Sequence, residues 1–243
     1  MERLELFFED LIKYSTLGYS LCGDKPVSVE HVPQLTRVPI FLATTGYFKY
    51  SWYSIIGLGW DCWMKYAERF PSSNYCLRTS DDLHAIILIN KKASLNAISE
   101  NIDLFQKYLK TNKTPIELLE ELCHSEPCMI LDSHPVLMGI LYGFGRNNSI
   151  AFANAGHGQP LKFFNQGTLY IGLSDHFGVG FRTLSDESNF KENNFLRTQY
   201  QTTKKKLRCS FHGDKYFEQF LYYYSNSADP KEKTSVPKRS SAS

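Results

Sequence analysis

The stretch from Ser133 to Asn148, SHPVLMGILYGFGRNN, constrains this chain more than any other. The Ser133 hydroxyl is placed to accept from a backbone N–H left free in a first helical turn. Pro135 then sits where its missing N–H costs nothing. Val136, Leu137, Ile140, Leu141 and Phe144 follow at helical spacing and define an apolar face. Gly139 and Gly143 are four apart, so on one helix they share a side and admit another backbone at close range. The apolar run from Pro135 to Phe144 is too short to span a bilayer, so the stretch predicts a helix buried in a soluble core. Gly145 and Asn147-Asn148 read as its exit or a kink. Arg146 lies at that end, where a cation suits the helix dipole.

Residues 3–17 predict an amphipathic helix, with Leu4, Phe7, Phe8, Leu11 and Ile12 on one face and Gly18 as its stop. Gly23-Asp24 is a turn signal, and Pro26 to Glu30 reads as a short strand. After an extended, Pro-punctuated segment from Val32 to Thr45, residues 46–70 read as a long helix. Phe48, Trp52, Ile55, Ile56, Gly59, Trp63 and Tyr66 form its stripe. Tyr75–Arg78 and His84–Ile89 read as strands around the turn at residues 79–82. The second strand is apolar nearly throughout, as for a strand covered on both faces. Leu95, Ile98, Ile102, Phe105 and Leu109 predict one helix, and Thr114-Pro115 opens another. Residues 161–173 read as a hairpin around Asn165-Gln166-Gly167. Two helices, carrying Leu196 to Phe211 and Tyr216 to Tyr224, then meet at Gly213-Asp214. The expected fold is α+β and helix-dominated, with a small, mainly antiparallel sheet and a C-terminal helical hairpin. Residues 1–225 read as a single globular domain and residues 226–243, rich in Ser, Lys and Pro, as a disordered tail.

At 243 residues the chain can bury a sizeable core, and with 17 Phe and 15 Tyr that core is built on rings. A formal net charge of +2 selects no partner by itself. Charge is uneven, however: Lys191, Arg197, Lys204, Lys205, Lys206, Arg208 and Lys215 stand against only Glu192 and Asp214 in residues 191–215. The six cysteines (22, 62, 76, 123, 128 and 209) contain no CxxC and read as reduced, mostly buried thiols. Cys123, His124 and Cys128 fit no common zinc spacing, so neither a metal nor a cofactor is expected. Acidic residues Glu2, Glu5, Glu9 and Asp10 occupy the start, where no apolar run of signal length is found. That points to a cytoplasmic protein without a transmembrane segment.

Three segments carry a resemblance: GYSLCGDKPVSVE, HPVLMGILYGFGRNN and GDKYFEQFL. In the same order, they resemble a family of uncharacterised proteins from Chlamydia-like and other intracellular bacteria. The resemblance implies a bacterial origin and a fold family without a reaction.

Three functions are compatible with these features. One is a non-catalytic protein that binds a protein partner. Another is a hydrolase-type enzyme in which His134 is joined by Asp24, Lys25, His31 or Arg146. On an unbroken helix His134 and Arg146 would stand about 18 Å apart, so that site requires the glycines to fold the end back. No nucleophile elbow or cysteine-protease signature is present, and HFGVGF (176–181) is a weak phosphate-loop signal. The third is a nucleic-acid or anionic-membrane binder using Lys204, Lys205, Lys206 and Arg208 on one basic helix face.

Overall fold

The computed structural model describes residues 2–31, 59–80, 85–125, 130–131, 134–154, 179–181, 183–184, 186–213 and 215–225. Residues 46–58 of the expected 46–70 helix, the hairpin at 161–173, residues 81–82 of the expected 79–82 turn and the tail at 226–243 lie outside them. So do Ser133 and Cys128. The described remainder of the 46–70 helix is α-helical only to Met64, and Thr79 and Ser80 continue the strand from Tyr75.

A three-stranded antiparallel sheet carries β1 (Val27–His31), β2 (Tyr75–Ser80) and β3 (Ala85–Asn90) in the order β1-β3-β2. Every residue of the central strand is buried. Successive side chains of a strand point to opposite faces, and here the alternation divides two hydrophobic cores. Ile86 and Leu88 enter one, Ile87 and Ile89 the other.

The first core is aromatic. It is covered by α1 (Glu2–Tyr14), α2 (Leu17–Cys22) and the last two helices, α8 (Asp186–Ser210) and α9 (Tyr216–Ser225). Phe8 stacks on Phe220 at 4.0 Å and meets Trp63 edge-on at 5.3 Å. The Glu5 carboxylate of α1 accepts from the N–H groups of Tyr216 and Phe217, satisfying donors that the start of α9 leaves open. The C-terminal pair turns at Gly213, with Phe211 stacked on Tyr216 and Tyr223. The second core is aliphatic. It holds α3 (Lys91–Glu100), α4 (Ile102–Leu109), α5 (Pro115–His124), α6 (Pro135–Leu141) and α7 (Arg146–Asn154). Asn90 joins the two sides: it caps α3 through Ala93 N and donates to the carbonyls of Ser20 and Gly23 in the first core.

The α+β, helix-dominated architecture expected from the sequence is present, but three helices differ from expectation. The first helix ends at Tyr14, not at Gly18, because the Ser15 hydroxyl donates to Leu11 O at 2.5 Å and accepts from Leu17 N at 3.0 Å. Gly18 lies inside α2, where a Cβ would press on Leu207 of α8. Residues 95–109 form two helices, because Asn101 leaves helical geometry (φ −125°, ψ 24°) and its side chain donates back to Ala97 O. The central helix itself stops at Leu141. Val136, Leu137, Ile140 and Leu141 are buried as expected, and Gly139 admits Ser149 of α7. Gly143 (φ 77°) and Gly145 (φ 88°) then reverse the chain in the left-handed region that favours glycine. Arg146 consequently opens α7 instead of closing α6. Among the described residues, no helix is long and apolar enough to cross a membrane.

Candidate functional site

The reversal between α6 and α7 closes on one of the candidate residues, Lys25. Lys25, on the turn before β1, is only 3% exposed. Its Nζ donates to Val27 O and lies 5.5 Å from the Tyr142 ring centroid, with its stem near Gly143. Burial alone pushes this amine down to about 7, since the interior disfavours the charged form. The buried Tyr200 of α8 also packs at Gly143 and donates its hydroxyl to Gly143 O at 2.7 Å. Phe144 stacks on Phe181 at 4.5 Å.

The outer side of the same reversal is polar and tightly bonded. Glu192 of α8 accepts from Asn147 N at 3.2 Å and from Asn148 N at 3.3 Å, so the start of α7 already holds a carboxylate of its own chain. Beneath it lie three buried carboxamides, Asn148, Asn189 and Asn193. Asn148 Oδ1 accepts from Leu184 N and from Asn189, and its Nδ2 donates to Phe144 O and Asn193. The cluster is saturated, and it locks α7 to the first turns of α8. It departs locally from helical geometry at Asn189 (φ −144°, ψ 34°), which frees that side chain to reach across.

The other candidate residues are dispersed. Asp24 is exposed beside Lys25. His31 ends β1 opposite Ala85. His134 caps α6 in the role expected of Ser133: its Nδ1 accepts from Val136 N at 3.2 Å, and its ring stacks on Tyr108 of α4 at 3.7 Å. Arg146 faces α4 at the other end of that helix. It donates in bidentate fashion to Asp103 (2.9 and 2.7 Å) and also to Asn101 Oδ1. The pairing holds the Asp103 carboxyl below the usual range and the Arg146 guanidinium above it. The glycine reversal therefore brings Lys25, not His134, to the neighbourhood of Arg146's loop. His134, Asp24 and His31 have separate structural settings.

The basic residues divide as well. Lys206 donates to Cys22 O at 2.9 Å and lies 5.1 Å from the Tyr223 ring centroid, so it ties α8 to α2 and α9. Lys205 and Arg208 are exposed, Lys204 half-buried. Arg197, Lys204 and Arg208 also have contacts within the chain.

Two arrangements had no sequence signal that spacing alone could supply. The carboxamide cluster joins residues more than forty positions apart, although Asn189 and Asn193 do fall on the stripe that continues through Leu196, Tyr200, Thr203 and Leu207. The other is a pair of thiols, Cys76 of β2 and Cys123 of α5, brought together across the second core. Among the described residues no group of three or more His, Cys, Asp or Glu is placed to hold a metal ion. In comparisons with known proteins, no family model, no curated protein and no solved structure matches this chain.

Proposed function

We propose that the protein is a non-catalytic binding protein of an intracellular bacterium, and that it presents the outer side of α8 to a protein partner with an acidic surface. The observation that carries this reading is the composition of that side. Phe190 and Phe195 are 59% and 67% exposed in its first half. Arg197, Gln201, Lys204 and Arg208 follow at spacings of four, three and four, which align them in one stripe with Lys205 beside it. Phe190 lies seven residues before Arg197, in line with that stripe, and Phe195 stands on the opposite flank of the exposed side; exposed aromatic rings and arginines are residue types enriched in protein interfaces. The charge order on α8, acids at the start and bases at the end, also suits the helix dipole. That accounts for the helix's own stability, but not for the two rings left in water.

The candidate catalytic residues support the same reading. His134 and Arg146 each hold a helix in place, and Lys25 is enclosed beneath Tyr142. The bacterial setting rests on the resemblance of the three quoted segments.

A photo-crosslinking side chain in place of Phe195, with one in place of Tyr14 on α1 as control, tests the reading in host cells. The expected result is a discrete protein adduct from position 195. That adduct is lost at raised salt and in the Lys205→Glu/Arg208→Glu variant, and is not formed from position 14. Adducts with nucleic acid, or binding to phosphatidylserine vesicles that the same variant loses, would replace the protein partner with a polyanion. No position-specific adduct of any kind would overturn the reading.

A further inference from the structure

We propose that Cys76 and Cys123 form a reversible intramolecular disulfide in response to peroxide, making this pair a redox modification site independent of the α8 surface. The two residues lie 47 positions apart and on different elements, yet the fold places them side by side. Cys76 Sγ donates to Cys123 O at 3.5 Å, and the two thiols are within hydrogen-bonding reach of each other. Cys76 lies on β2, an edge strand, and is half-buried, whereas Cys123 is 3% exposed. Cys76 is therefore the more accessible of the two to a small oxidant.

The surroundings assign the order of events. Arg78 is two residues along β2 and so points to the same face; its guanidinium donates to Leu122 O in the last turn of α5. Lys91, at the start of α3, adds a second cation, and Glu120 of α5 opposes them. The Cys123 thiol's hydrogen bond and the two cations hold Cys76 below the ordinary thiol range, while that same bond and burial push Cys123 up. Cys76, the less buried of the two and the one beside the cations, is the residue that attacks.

The chemistry balances with a peroxide as oxidant. The Cys76 thiolate attacks one peroxide oxygen; an S–O bond forms, the O–O bond breaks, and the leaving oxygen takes up a proton. Cys76 is then a sulfenic acid. The Cys123 sulfur attacks the Cys76 sulfur; an S–S bond forms, the S–O bond breaks, and hydroxide departs with the Cys123 proton as water. Two thiols lose two electrons and the peroxide gains them. A dithiol reverses the bond by exchange. Two of the other described cysteines have different settings. Cys22 is buried and its thiol is pushed up to about 12, and Cys209 is exposed on α8.

The test is to treat the full chain with hydrogen peroxide, alkylate the remaining thiols and map the peptides without reduction. The expected product is a Cys76–Cys123 linked peptide lighter by two hydrogens, abolished by dithiothreitol. Cys123→Ala should stop at a sulfenic acid on Cys76 that dimedone captures, and Cys76→Ser should leave Cys123 alkylable. If Cys76 and Cys123 both stay alkylable while Cys62 or Cys209 oxidises, the proposal fails. It fails equally if Cys123 links to Cys128 instead. The unmodified chain alone distinguishes these results, so the test survives a variant that does not fold.

Discussion

Replacing Lys25 by Met tests how the interior treats a buried amine, because the two side chains are similar in length and only one can be charged. The amine stands at about 7 in the fold against 10.5 ordinarily. At any pH below 7 the unfolded chain is protonated freely, while the fold must either enclose a cation or release the proton. That displacement corresponds to about 5 kcal/mol of destabilisation there. Between pH 7 and 10.5 the unfolded state binds the extra proton, so stability rises with pH, and above 10.5 the cost is gone. Methionine removes that cost but leaves Val27 O without the Nζ–H, a loss of about 1–2 kcal/mol. Lys25→Met should therefore be more stable than the parent by about 3 kcal/mol at pH 6.5, equal to it near pH 9 to 10, and less stable above. Urea unfolding of both proteins from pH 6 to 10.5, at constant m-value, measures the difference directly. A difference that does not change with pH, or a variant that is weaker at pH 6.5, would refute the burial argument.

Four further substitutions, one of them paired with a second change, separate structural roles from functional ones. His134→Ala should lower stability by about 1–2 kcal/mol, through loss of the α6 cap and the stack on Tyr108; thermal unfolding reads this, and a variant with unchanged melting but lost cellular function would contradict it. Gly143→Ala should cost about 2–4 kcal/mol, from a positive φ and a clash with the Tyr200 hydroxyl. Adding Tyr200→Phe should recover part of that loss, which a double-mutant cycle detects as non-additivity. Asn148→Ala should cost about 2–3 kcal/mol by stranding Leu184 N and its neighbouring carboxamides, whereas Arg146→Ala should leave thermal unfolding nearly unchanged because its pair with Asp103 is solvent-screened.

Sequence pattern anticipated the parts of this fold that depend on periodicity. The continuous apolar run of β3 identified a strand covered on both faces, and Thr114-Pro115 identified the start of α5, where a full capping box forms with Glu117. Helix ends were less legible. At Ser15 and Asn101 a single side chain competes for backbone partners and breaks a stripe whose hydrophobic spacing continues unbroken. At Gly143 and Gly145 the deciding fact is a left-handed turn fitted around Tyr200, a residue 57 positions away. Site residues followed the same rule. Lys25 looks in the sequence like an ordinary turn lysine, and its burial emerges only once α6 and α8 close over it. Cys76 and Cys123 belong to different elements, and nothing in their spacing joins them.

The middle strand of the sheet has one further effect. Its odd-numbered side chains belong to the aliphatic half and its even-numbered ones to the aromatic half, so neither half possesses a complete wall without it. Loss of β3 would open both interiors at once, and damage to either interior loosens the boundary of the other. The molecule should therefore melt as one cooperative unit, with the slowest-exchanging amides along residues 86–89.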